Sequence, residues 1–141
     1  MVGRLMYLVD TNIWLEILLE QNKSTEAIRF LTSIDSNSLF ITDFSVYSMG
    51  IIMTRLRKSD VFDQFVQETI VDAGVEVIRI PLEEMTVISA ITKRYKLDFD
   101  DAYQYALAEK HDLTIISFDS DFDRTERGRA SPESVVLSST E

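Results

Sequence analysis

The chain has no cysteine, one histidine, four glycines and two prolines in its 141 residues. Without cysteine there is no disulfide framework, no thiolate metal site and no cysteine nucleophile. His111 alone cannot build an imidazole metal site or a histidine-based acid–base pair. Metal chemistry in this chain therefore falls to oxygen ligands, which suit magnesium or manganese. Basic residues are also few. Against 24 acids stand 14 Lys and Arg, a net charge of −10, with no basic stripe to hold duplex nucleic acid by charge. A nucleic-acid ligand would need bound cations to offset the protein's own field. No run approaches the ~18 apolar residues of a membrane span. The apolar stretch in MVGRLMYLVD stops at Asp10, too short for a signal-peptide core. These absences fit a cytoplasmic protein that does not enter a membrane.

The apolar fraction of 45% is that of a globular chain. The length suits one domain, residues 1–141, and there is no repeat or low-complexity segment. Strands and helices alternate. Arg4 to Val9, Leu39 to Thr42, Val75 to Ile80 and Leu113 to Ser117 read as strands, and Val135 to Leu137 as a fifth. Thr11, Asp43 and Asp98 are placed to cap helices, and Ser24 opens another. A further helix is expected from Asp60 to Val71, and one beginning at Pro81 with Leu82, Met85, Ile88 and Ile91 as its stripe. Strands separated by helices predict an α/β fold, a parallel sheet of four to five strands with helices on both faces. Ligands of such sheets lie at the carboxyl ends of the strands.

Acids gather at those ends. Asp10 follows the first strand, Asp43 the second, and Asp119 the fourth. From Asp98 to Asp123 there are eight acids and one lysine. Helix capping and dipole complementarity account for Asp43, Asp60 and Asp98, and solvent exposure for Asp112. They account less well for Asp10, Asp101 and Asp119, because Thr11 suffices as a cap and Asp101 lies opposite the apolar stripe of Phe99, Ala102, Tyr103, Ala106 and Leu107. Carboxylates converging there repel one another and raise their own pKa values. A divalent cation removes that cost, and an oxygen-ligand site of this kind suits phosphate chemistry. Tyr103 and Tyr105 read as packing residues. Arg124, Arg127 and Arg129, beyond the acidic loop, are candidate RNA-phosphate contacts or a solvated basic tail.

Four stretches in this order, YLVDTNIWLE (7–16), ITDFSVYSMGII (41–52), LDFDDAYQYALAEKHDLTIISFDSDF (97–122) and RASPESVV (129–136), resemble a PIN domain, the nuclease fold of VapC-type toxins. The resemblance implies a three-layer α/β/α sandwich, Mg²⁺ or Mn²⁺, and cleavage of single-stranded RNA by metal-activated water. It implies catalytic and metal-binding roles for Asp10, Asp101 and Asp119, a metal-binding role for Asp121, and support from Thr11 and Asn12. An antitoxin and a homodimer are the implied partners, the antitoxin helix entering an apolar groove between helix 11–20 and helix 43–57. One feature departs from the pattern: the family's usual Glu on the helix after the second strand is missing near Gly50. Asp43, seven residues earlier and roughly 10 Å away along a helix, does not replace it. Asp98 and Asp100 are candidates to compensate. The competing expectation is a catalytically impaired PIN-fold module that binds RNA or protein. A phospho-receiver or a dehalogenase-like phosphatase fits poorly, since the third strand ends in Ile80-Pro81 and Asp10 is followed by Thr11-Asn12.

Overall fold

The structure is a computed structural model and describes residues 5–139. Four parallel strands, β1 (Tyr7–Val9), β2 (Leu39–Thr42), β3 (Glu76–Ile78) and β4 (Thr114–Ile116), form one sheet in the order β3-β2-β1-β4. Tyr7 pairs with Leu39 on one side and Thr114 on the other, so β1 and β2 are central. Helices α1 (Thr11–Leu18), α2 (Ser24–Ser33), α3 (Asp43–Arg55), α4 (Ser59–Phe65), α5 (Thr86–Tyr95), α6 (Phe99–His111) and α7 (Pro132–Ser139) complete the described elements, with a π-helical turn over Val66–Asp72.

Both faces of the sheet are covered because its strands are apolar on both sides. Leu8, Phe40 and Ile115 point into one core with Ile88, Ile91, Leu107 and Phe122. Tyr7, Val9, Leu39, Ile41 and Ile116 point into the other, with Ile13, Trp14, Phe30, Met49 and Phe65. The expected three-layer sandwich is present, with four strands. In α2, the helix expected to open at Ser24, Ala27 and Phe30 are fully enclosed.

Several local expectations need correction. Val135 to Leu137 is helix, not a fifth strand. Ser131 Oγ accepts from the Ser134 N–H (3.1 Å), Ser134 Oγ accepts from the Ser131 N–H (3.1 Å), and Pro132 supplies a preset first turn. The resulting α7 packs on α2. Only Ala130 bridges to the sheet, at Ile116. The β3 strand is shorter than Val75 to Ile80, and the Pro81 helix begins as a 3₁₀ turn (Leu82–Glu84) before α5. Leu82 is 83% exposed, so it does not belong to the buried stripe. Arg4, expected to begin the first strand, lies outside the described residues.

Capping is also redistributed. Thr42, not Asp43, is the α3 cap, accepting from the Ser45 N–H (2.9 Å). Thr11 is the first residue of α1 rather than its cap, and its hydroxyl donates to Ser45 Oγ (2.7 Å). Asp98 occupies the cap position of α6 without making a capping bond, and Asp60 lies in the first turn of α4. α6 is buried on all sides from Asp101 to Ala108, so Asp101 does not sit on a solvent face.

Candidate metal centre

The carboxyl ends of β1, β2 and β4, with the first turns of α1, α3 and α6, enclose a cleft of about 400 Å³. It is lined by Asp10, Thr11, Asn12, Ser45, Ser48, Asp98, Asp100, Asp101, Gln104 and Asp119. Asp10 is 5% exposed and Asp101 8%. A β1 backbone extension, the Asp10 N–H to the Ile116 carbonyl (2.9 Å), fixes Asp10 beside β4. Its carboxylate accepts from Gln104 Nε2 and from Ser117 Oγ (2.7 Å).

Ser117 ties the sequence-distant parts together. Its hydroxyl accepts from Asn12 Nδ2 (3.2 Å) and from the Asp119 N–H (2.9 Å), while Asn12 Oδ1 accepts from the Phe118 N–H (3.3 Å). Asp119 in turn accepts from the Asp121 N–H (2.8 Å), which starts the 3₁₀ turn Ser120–Arg124. Thr11 and Asn12 thus lock α1 to α3 and to the β4 loop.

Carboxylate oxygens of Asp101, Asp119 and Asp121 come within 4.8 Å of one another, as do those of Asp98, Asp100 and Asp101. Asp101 belongs to both triples. Asp10 lines the same cleft but belongs to neither, its oxygens being turned to Gln104 and Ser117. The electrostatic cost is plain. Burial, then Asp10, Asp100 and Asp119, push Asp101 up to about 8 from the ordinary 3.8. Burial raises Asp10 too, with Gln104 and Ser117 opposing.

These residues fit a hard divalent cation. The donors are all oxygen, Asp10, Asp101 and Asp119 have no ion-pair partner among the described residues while Asp121 is paired with Arg124, and Gln104 Oε1 is buried without a hydrogen-bond partner among those residues. A buried amide oxygen with no partner costs about 1–3 kcal/mol, and a cation or its water would satisfy it.

The remaining candidates lie elsewhere. Asp123 pairs with Arg129 (3.2 Å) and stays out of the cluster. Arg124 donates to the Tyr95 and Lys96 carbonyls at the end of α5 (3.1 and 2.6 Å) and pairs with Asp121 (3.0 Å). Arg127 holds Asp112 (2.9 Å) and the Leu113 carbonyl (3.1 Å). Both arginines act within the fold as clamps on helix ends, and neither lines the acid cleft. Tyr105 is packed in the core, as expected. Gly50 faces Phe62 (3.3 Å from an added Cβ) rather than the cleft. The α3 residues that line the cleft are Phe44, Ser45, Ser48 and Ile52. Ser48 and Ile52, on either side of Gly50 in sequence, are thus the cleft-facing positions of that stretch, and neither is an acid.

Gln104, Ser117 and Ser45 went unread in the sequence. Gln104 had a usable signal: it is one turn beyond Asp101 and so shares its face. Ser117 and Ser45 had none, because the partners that tie them to β1 and α1, Asp10 and Thr11, are more than thirty residues distant.

The sheet is parallel, and its carboxyl edge carries a cluster of acids whose donors are all oxygen. Residues 7–128 match the PIN domain family model, and the chain belongs to that family. A search of curated protein sequences gives no match. Among solved structures, FitAcB from Neisseria gonorrhoeae is similar with a TM-score of 0.70 at 20% identity, over 90% of this chain and 98% of that one. PAE2754 from Pyrobaculum aerophilum has a TM-score of 0.69 at 15% identity, over 97% of each chain. A toxin–antitoxin complex from Klebsiella pneumoniae has a TM-score of 0.67 at 22% identity, over 89% of this chain and 97% of that one. No described helix is long and apolar enough to cross a membrane.

Proposed function

We propose that the chain is a cytoplasmic, Mg²⁺- or Mn²⁺-dependent endoribonuclease that cleaves single-stranded RNA. The observation that carries this reading is the convergence of the buried Asp101 with the half-buried Asp119 and Asp121 beside the buried Asp10. Asp101, Asp119 and Asp121 would hold the cation, with Asp10 behind them and Asp98 and Asp100 at the open side. A divalent cation, when bound, supplies the positive charge that hydrolysis of a phosphodiester requires. The chain's own residues then have separate tasks. Ser117 and Gln104 donate to Asp10 and offset part of the burial that pushes its carboxyl up. Asp101 must lose its proton before it can serve as a ligand. Ser48 offers a neutral hydroxyl where a carboxylate would favour a second cation.

The chain is read further as the toxin of a toxin–antitoxin pair. Its likeness to the Klebsiella complex supports this, as does a groove of about 330 Å³ lined both by Trp14, Leu18 and Leu31 and by Glu20, Gln64 and Glu68. An amphipathic antitoxin helix fits such a groove. Its walls come from α1, α2, α4 and the π-helical turn that follows, whereas the sequence reading set the groove between α1 and α3. A homodimer remains part of the proposal.

The test is cleavage of single-stranded RNA with Mn²⁺ by wild type, Asp101→Asn and Asp119→Asn. Cleavage by wild type alone is the expected result. The neutral Ser45 and Ser48 on α3 favour one alternative, a module that binds RNA without cutting it. Metal-dependent RNA binding with no turnover under any of these conditions would establish that reading instead.

A further inference from the structure

A second cavity, about 650 Å³, adjoins the acid cleft and shares Phe44 with it. Consecutive residues divide between the two: Thr42 and Asp98 line the cleft, while Asp43 and Phe99 line this cavity. Its walls are aromatic. Phe44 lies 6.1 Å from Phe99 and 5.4 Å from Tyr103, centroid to centroid. Phe99 is 47% exposed and Tyr47 68%, an arrangement that a folded chain does not need for packing. Arg79 stands at the rim, exposed and without an ion-pair partner among the described residues.

Asp43 is the strand-end acid that the metal cluster leaves out. Its carboxylate faces this cavity and is held there. Tyr103 OH donates to Asp43 Oδ1 (2.8 Å) and accepts from the Ile80 N–H (2.9 Å), and the Phe44 N–H donates to the same Oδ1 (2.8 Å). The second carboxylate oxygen has no protein donor among the described residues. It is a fixed acceptor beside aromatic rings, with a free guanidinium nearby.

We propose that this cavity is a nucleobase subsite for the nucleotide next to the scissile phosphate, an inference that rests on the single-stranded RNA reading above. The base stacks on Phe99 and Phe44, Arg79 meets the flanking phosphate, and the free oxygen of Asp43 accepts from the base edge. Such an acceptor selects bases with an exocyclic amine. Uracil offers only its N3–H between two carbonyl oxygens, which the carboxylate repels. The aromatic rings and the arginine also answer a problem set by the net charge of −10, because stacking does not depend on the protein's field.

The test uses fluorescence anisotropy of the full chain with labelled RNA pentamers, A5, C5 and U5, in Ca²⁺, with the RNA checked for integrity on gels. Wild type is expected to prefer A5 and C5 over U5. Phe99→Ala, at an exposed position that folding tolerates, should weaken A5 binding about tenfold. Arg79→Ala should weaken all three pentamers alike and lower the salt slope by about 0.7. Asp43→Asn should bring A5 and U5 together. Wild type that binds no pentamer, or affinities unmoved by both Phe99→Ala and Arg79→Ala, overturns the proposal. So does loss of a dimer in sedimentation by Phe99→Ala with RNA affinity unchanged, since the face then belongs to a second copy of the chain. Mn²⁺ cleavage is run in parallel. Pentamer binding that depends on Phe99 without any cleavage refutes the nuclease reading and leaves the subsite standing. Cleavage indifferent to Phe99 refutes the subsite alone.

Discussion

At the scale of single residues, the site is governed by how carboxylates are paired and how dry they are. Asp101 carries the heaviest load, with a pKa near 8 set by burial and three neighbouring acids. Between its ordinary value of 3.8 and about 8, the folded chain holds a proton that the unfolded chain has released. Stability then falls as pH rises through that window. Urea unfolding of the cation-free protein should show stability declining from about pH 4 towards pH 8 and levelling above, and Asp101→Asn should flatten much of the decline. Mn²⁺ affinity should change in the opposite sense, tightening as pH approaches 8, because the ligand form is the ionised one. Gln104 acts through Asp10. Gln104→Leu removes the Nε2 donor from a buried carboxylate and should cost about 1–3 kcal/mol in the same unfolding measurement. A Gln104→Leu protein as stable as wild type would mean that Asp10 is protonated in the fold.

At the scale of elements, helix phase decides which positions belong to the site. α3 turns Ser45, Ser48 and Ile52 towards the acids and Gly50 towards Phe62. Ser48→Glu is therefore expected to tighten Mn²⁺ binding in calorimetry, with a gain of about tenfold for one added carboxylate oxygen ligand. Gly50→Glu should leave metal affinity where it is and lower stability through its contact with Phe62. If Gly50→Glu rather than Ser48→Glu strengthened binding, the placement of α3 would be wrong. The end of the chain follows the same logic. Ser131 and Pro132 start α7, and Ser131→Ala should lower its helicity and cost about 1 kcal/mol. The segment SPES held that signal, and the β-branched pair Val135-Val136 obscured it. Three valine-rich residues read as a strand when they are considered apart from the cap that precedes them.

At the scale of the whole molecule, two features stand out: the net charge of −10 and the convergence of acids from three separate stretches of chain. A cation that binds only the folded form should stabilise it by mass action. Mn²⁺ at about a hundred times its dissociation constant is expected to add about 2.7 kcal/mol to unfolding, seen as a rise in Tm that Asp119→Asn abolishes. An equal rise in that variant would place the bound ion outside the cluster.

The sequence alone determined the order of strands and helices, because two-sided apolar runs and helical stripes are local patterns that hydrophobic burial enforces. Tyr7–Val9, Leu39–Thr42 and Thr114–Ile116 were legible for that reason, and so was the carboxyl edge as the place to look. Asp10, Asp101 and Asp119 were legible because each follows or opens an element at that edge. Tertiary structure decided what no local pattern carries. It turned Asp43 into the neighbouring cavity and drew Asp123 to Arg129. It bound Arg124 and Arg127 to helix ends, and it set Gln104 and Ser117 on Asp10. Hydrogen bonds and charge pairs between residues as far as 107 positions apart depend on distances that only the packed sheet and helices fix.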